Sequence, residues 1–137
     1  MLNPEEAEAK SCVLIIVEDD EDILEAMKDY LTDEGYRVLT AQNGQQALDL
    51  LASAPRPCII LLDLFMPVMN GLQFLQKRAM GEEEAIKAIP VIVVSAAPPD
   101  GEMMTAARKL ATSVFPKPAP LDQLLSIIHQ YCRRPAA

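Results

Sequence analysis

Apolar residues fall along this chain in two alternating rhythms. Three short runs are almost unbroken: Val13-Leu14-Ile15-Ile16-Val17, Ile59-Ile60-Leu61-Leu62 and Val91-Ile92-Val93-Val94. Runs of that length and composition predict strands covered on both faces. Weaker runs over residues 36–40 and 112–115 bring the predicted strands to five. Between them the spacing changes to that of a helix. Over residues 20–34, Ile23, Met27, Tyr30 and Leu31 recur on one face, and Gly35 closes the element as its C-terminal stop. Further helices are predicted over residues 44–53, after Asn43-Gly44 and before Pro55-Arg56-Pro57, and over residues 71–79. Residues 81–87 form a charged connection with a helical turn. Pro98-Pro99 breaks the chain, Asp100 is the expected N-cap of a helix running to residue 110, and Pro120 suits the first turn of the last one. The apolar face of that last helix is Leu121, Leu124, Leu125, Ile128 and Cys132.

Strand and helix alternate five times, predicting an α/β fold of the flavodoxin-like (βα)5 kind. Right-handed crossovers then place helices on both sides of a five-stranded parallel sheet. A doubly wound strand order of 2-1-3-4-5 fits, with Pro116 suited to an edge strand. At 137 residues the chain is one domain, with residues 1–10 a loose polar tail and residues 11–134 the folded part.

Composition narrows the partners. The formal net charge is −8, and the basic clusters Lys77-Arg78, Arg108-Lys109 and Arg133-Arg134 are too small for a nucleic-acid footprint. No apolar stretch reaches the ~18 residues of a membrane span, and the acidic N-terminus lacks a signal-peptide core, so a cytoplasmic protein is expected. Cys12 and Cys58 open apolar strands, where a free thiol packs as a small hydrophobe; buried inert thiols are expected, with a redox sensor the lesser alternative. The one histidine, His129, lies on the last helix and reads as a surface or structural residue.

The candidate chemistry sits at the strand ends. Glu18 and Asp19 follow the first run, Asp63 the third, Ser95 the fourth and Lys117 the fifth. In an open parallel sheet the C-terminal strand ends share one edge, where such folds place ligands. Three carboxylates, a hydroxyl and an ammonium there suit a hard cation and a phosphoryl group. Each has a plainer reading. Asp19 and Asp20 could be acids at a helix N-terminus. Asp63 could be a turn residue, Ser95 a loop cap, and Lys117 a partner to any nearby acid. None of these explains why the polar residues end the strands on one edge.

In this arrangement the chain resembles the receiver domain of two-component response regulators, over nearly all of residues 11–132. The landmarks are Val17-Glu18-Asp19-Asp20, Asp63-Leu64-Phe65-Met66-Pro67, Asn70-Gly71-Leu72, Val94-Ser95-Ala96 and Lys117-Pro118. The resemblance implies that Asp63 is the phosphoacceptor, Ser95 the switch hydroxyl and Lys117 the counter-charge. It implies Mg2+ held by Asp19, Asp63 and the Phe65 backbone carbonyl, with Glu18 acting through water, and a cis Lys117–Pro118 bond. The donor would be a histidine kinase or histidine phosphotransfer protein, and the output a contact with a downstream protein effector. A homodimer is possible in such domains; neither nucleic acid nor membrane is expected as a partner.

The chain departs from the family pattern at Val114, where an aromatic switch residue often stands, and at Ala119, where an aromatic often follows Lys-Pro. Phe65 and Ala97, which would flank the phosphoryl group, offer no polar group to orient water, so slow self-dephosphorylation is expected. The protein is thus read as a stand-alone receiver, a phosphoacceptor that assists its own transfer rather than an enzyme. The alternative is a pseudo-receiver that works as a phosphorylation-independent interaction module. A haloacid-dehalogenase-type hydrolase would need D-x-D, which Asp63-Leu64-Phe65 lacks, and no G-x-G-x-x-G supports dinucleotide binding.

Overall fold

The apolar runs pair as a single parallel sheet. Its strands are β1 (Val13–Val17), β2 (Arg37–Ala41), β3 (Ile59–Leu62), β4 (Val91–Ser95) and β5 (Ser113–Pro116), in the order β2-β1-β3-β4-β5. The computed structural model describes residues 13–53 and 57–132. The expected tail over residues 1–10, Cys12 and the Pro55-Arg56 part of the predicted turn lie outside the described residues. The register Val17↔Leu62 brings the C-terminal ends of β1 and β3 level, and Leu62↔Val93 lets β4 run two residues farther, to Ser95.

Alternation along each strand sorts the core into two layers, because successive side chains leave opposite faces of a sheet. Ile15, Val17, Ile60, Leu62, Val91 and Val93 face one way, under α2 (Gly44–Ser53), α3 (Gly71–Met80) and α5 (Glu102–Leu110), which contribute Ala47, Phe74 and Met104. Leu14, Ile16, Ile59, Leu61 and Ile92 face the other way. There α1 (Glu21–Asp33) and α6 (Leu121–Cys132) supply Leu24, Leu31, Leu124 and Ile128. β1 and β3 are buried throughout and β4 everywhere but Val94, whereas β2 and β5 at the edges are partly open, as their weaker apolar patterns foretell.

Helix ends follow local chemistry. The Asp20 carboxylate accepts from the N–H groups of Asp22 and Ile23 at the start of α1. At its end Gly35 takes φ 97, with Tyr36 N–H donating to the Leu31 carbonyl and Gly35 N–H to Thr32, a Schellman closure. Asp100 does not cap α5 as expected. Gly101 holds the N-cap position with no side-chain cap, because the Pro98-Pro99 turn closes by a hydrogen bond from Gly101 N–H to the Pro98 carbonyl. One further difference concerns a cysteine. Cys58 is disulfide-bonded rather than a free thiol, while Cys132 is free and buried, its thiol pushed up to about 12 by desolvation. His129 is structural, its Nδ1 hydrogen-bonded to the hydroxyl of buried Tyr36.

The charged connection after α3 forms one short helix, α4 (Glu84–Lys87). Arg78 holds it. Its Nη1 donates to the carbonyls of Ile86, Lys87 and Ile89 at 3.0, 3.1 and 2.8 Å, tying α3 to the entry of β4. Arg78→Met should therefore lower stability by about 2–3 kcal/mol, the scale of charge-assisted hydrogen bonds lost to a partly buried site. Arg78→Lys should recover little of it, since an ammonium lacks the guanidinium's reach and fork. Urea unfolding checks this, through the midpoint at constant slope.

Candidate functional site

Four backbone segments deliver the polar residues to one edge. Glu18 follows β1 directly, and its N–H donates to the Ala41 carbonyl at the end of β2. Asp63 follows β3, and its N–H donates to the Val17 carbonyl. Ser95 ends β4, and its carbonyl accepts from the N–H of Lys117, one residue past β5. The sheet ladder thus continues just far enough to fix each functional residue's backbone before the chain turns away.

Glu18 and Asp63 are buried, at 4% and 7% exposure, and Ser95 is fully buried. Burying a carboxylate is costly unless it is paired. Lys117 supplies the pairing: its Nζ lies 2.6 Å from Glu18 Oε1 and 3.3 Å from Asp63 Oδ2. Asp63 Oδ1 accepts from the Leu64 N–H at 2.8 Å, and Glu18 Oε2 from the Asp20 N–H at 3.3 Å. The Ser95 hydroxyl accepts from the Ala97 N–H at 3.2 Å, which shapes the loop after β4.

Charge remains unbalanced. One ammonium faces Glu18, Asp19 and Asp63, whose oxygens lie within 4.8 Å of one another. Asp19 is exposed overall, yet partial desolvation of its carboxyl, then the hydrogen bond and charge of Glu18, raise its pKa above the usual range. For Lys117, burial pushes the pKa down, but the bonds and charges of Glu18 and Asp63 outweigh it and the net shift is upward. A cluster of hard oxygens with excess negative charge fits a small divalent cation.

The loop from Asp63 to α3 is held rigidly. Gly71 N–H donates to the Leu64 carbonyl at 3.0 Å, and a Cβ at Gly71 would lie 2.2 Å from the Asp63 carbonyl oxygen. Only glycine lets the first turn of α3 lie across that peptide. Asn70 and Gln73 form a reciprocal capping box there. Met69 N–H donates to the Pro67 carbonyl at 2.7 Å across Val68, whose φ of 67 makes this a strained γ-turn. Met69 is anchored in turn, its carbonyl accepting from Gly44 N–H at 2.7 Å.

The comparisons with known proteins agree with this geometry. The family model described as the response regulator receiver domain matches residues 14–129. This chain belongs to the response regulator receiver family. A relative, the response regulator MprA of Mycolicibacterium vanbaalenii, is 34% identical over 122 residues, covering 88% of this chain and 50% of its own length. The chain thus spans about half the length of the curated relatives it matches. Among solved structures, a response regulator receiver protein from Pseudomonas putida superposes with a TM-score of 0.79 at 25% identity, covering 87% of this chain and 96% of that one. The receiver domain of a sensor histidine kinase from Pseudomonas aeruginosa, with a magnesium ion coordinated in its active-site cleft, gives 0.77 at 24% identity, covering 88% and 97%.

Within this receiver the landmark residues stand where the strand-end argument placed them. Glu18, Asp19, Asp63 and Lys117 converge, Ser95 ends the neighbouring strand, and the Lys117–Pro118 bond is cis. Phe65 is half exposed on the loop after β3, and Ala97 is buried after β4. Val114 packs with the layer under α5, while the nearest aromatic, Phe115, packs on the opposite face with α6. A ring on that face cannot follow Ser95 toward α5, because neighbouring strand residues point to opposite sides. Asn70 and Gly71 belong to the landmark Asn70-Gly71-Leu72, whereas Gln73 does not, and the supporting role of all three follows only from the close packing. Among the described residues no helix is long and apolar enough to cross a membrane.

Proposed function

We propose that this receiver accepts a phosphoryl group on Asp63 from the phosphohistidine of a histidine kinase or phosphotransfer protein, and signals in the cytoplasm by contact with a downstream protein. The supporting observation is the Lys117 ammonium shared between buried Glu18 and Asp63, beside a third carboxylate. A carboxylate oxygen of Asp63 attacks phosphorus, the P–N bond to the donor imidazole breaks, and that ring leaves with its electron pair and takes up a proton. Lys117 offsets charge on the transferred group, and the Ser95 hydroxyl can donate to it once released from its turn. Mg2+, when bound, would neutralise phosphoryl oxygens during transfer. Asp19, Asp63 and the Phe65 carbonyl would hold it, with Glu18 acting through water.

Intact mass after incubation with acetyl phosphate and Mg2+ tests this reading. A gain of about 80 Da, one phosphoryl group, is expected in wild type and not in Asp63→Asn. No gain in wild type would instead favour the phosphorylation-independent module. The acyl phosphate should then decay slowly without a phosphatase, because neither Phe65 nor buried Ala97 can orient attacking water. Phe65→Asn should hasten the decay. A half-life of seconds in wild type would refute this account of slow decay.

A further inference from the structure

Arg78 leaves part of its guanidinium unused. All three of its hydrogen bonds leave from Nη1. Nη2 donates to no described residue, and Nε is buried without a partner. Few buried polar atoms in folded proteins lack one. Arg78 also has no ion pair among the described residues. Burial pushes the guanidinium below its usual range, with no anion to offset the cost. The Nε–Nη2 edge is therefore an uncommitted fork, two parallel N–H groups spaced for the oxygens of a carboxylate.

That guanidinium borders a cavity of about 190 Å3 between α2, α3 and α4, at the end of the sheet opposite the acid site. Leu48 and Leu51 of α2 and Ile86 of α4 give it an apolar wall, with Ala52 at an exposed rim. Lys77 is the second cation of the lining, and Glu82 and Glu83 bring two carboxylates to it. Neither acid has an ion pair among the described residues, and Glu83, at the N-cap position of α4, makes no side-chain cap. Cations, anions and hydrocarbon thus line one concave space without neutralising one another. A cavity of that size holds roughly ten non-hydrogen atoms, fewer than a drug-sized ligand has. Its complement is a small zwitterion with an apolar body.

We propose that the cavity between α2, α3 and α4 binds a free apolar α-amino acid. Its carboxylate sits on the Nε–Nη2 edge of Arg78, its ammonium faces Glu82 and Glu83, and its side chain packs on Leu48, Leu51 and Ile86. A carboxylate alone would bring a third negative charge beside two glutamates, and an amine alone would meet Arg78 and Lys77. A peptide terminus carries only one of the two charges, so the free amino acid is the better match. Nη1 keeps its three carbonyls, so the ligand adds to the Arg78 clamp and stabilises the folded chain by mass action. The site lies apart from Asp63, and the proposal does not rest on the phosphoacceptor reading.

The test titrates leucine into the full, isotope-labelled chain and follows the Arg78 Nε–H signal by NMR. Isocaproate, which lacks the ammonium, and leucinamide, which lacks the carboxylate, are titrated beside it. Leucine should move the Arg78 signal and bind about tenfold more tightly than either analogue. Ala52→Trp, which fills the cavity from its exposed rim, should abolish the response to leucine. Glu82→Gln combined with Glu83→Gln should weaken leucine about threefold or more and leave isocaproate no weaker. These variants alter exposed side chains, so their results do not hinge on a damaged fold. An Arg78 signal that leucine leaves unmoved overturns the site, as when Glu82 or Glu83 itself closes onto the guanidinium. A response that survives unchanged in Ala52→Trp overturns it too. Isocaproate or leucinamide binding as tightly as leucine, or leucine affinity unchanged in the glutamine variant, overturns the zwitterion.

Discussion

Gly71→Ala should destabilise the protein by about 3 kcal/mol and slow phosphoryl acceptance at a residue it never touches through its side chain. The added methyl would lie 2.2 Å from the Asp63 carbonyl oxygen, 2.8 Å from the Leu64 Cα and 3.0 Å from the Asp63 carbonyl carbon. All three are backbone atoms, so no rotamer change can relieve the contact. Either α3 lifts from the sheet edge or the Asp63–Leu64 peptide moves. The first breaks the hydrogen bond from Gly71 N–H to Leu64 O; the second disturbs the 2.8 Å bond from Leu64 N–H to Asp63 Oδ1 and re-aims the carboxylate. Gly81→Ala is the control. Its Cβ would lie 3.4 Å from the nearest atom, at an ordinary φ of −70, so it should change stability by no more than about 0.5 kcal/mol. Urea midpoints and the rate of mass gain with acetyl phosphate measure both effects. Gly71→Ala with wild-type values in each would contradict this account of the loop.

That contact shows which parts of the structure the sequence could announce. Strands β1, β3 and β4 were legible because burial on both faces demands runs without polar residues, and few other elements produce them. The acid site was legible for a related reason: each run stops at a polar residue, and a parallel sheet aligns those stops. What escaped depends on contacts between distant residues or on backbone conformation that side-chain type does not advertise. Arg78 looks like a solvated helix cation, and only the fold brings three carbonyls to its Nη1. Val68 has the profile of a strand former, yet it sits in a γ-turn with positive φ. Asp100 has the right chemistry for a cap, but the preceding proline turn passes that position to Gly101.

Lys117→Met should lower stability near neutral pH and make it unusually responsive to Mg2+. The substitution leaves Glu18 and Asp63 buried at 4% and 7% exposure, with Asp19 beside them and no cation. Breaking a buried pair by removing one partner costs about 3–5 kcal/mol; the Lys117 side chain is 24% exposed, so solvent screening reduces the expected loss to about 2 kcal/mol. The pH dependence has a definite sign. The Lys117 pKa is raised in the folded state, so its contribution is intact below the usual 10.5 and is lost as pH climbs through the raised value. The deficit of the variant should therefore be full at neutral pH and fade in strong alkali. Asp19 acts in the opposite sense. Its pKa is also raised, so ionising it in the folded protein costs stability above that value, and stability returns as pH falls through it. Without Lys117 this repulsion grows, and mild acid should narrow the gap between variant and wild type. A divalent cation relieves the same repulsion, and binding to the folded state alone raises stability by mass action. The shift in unfolding midpoint on adding Mg2+ should thus be larger for Lys117→Met than for wild type, and smaller for Asp63→Asn, which removes one charge and one ligand together. Equal Mg2+ shifts in all three proteins would mean that the carboxylates do not hold the ion.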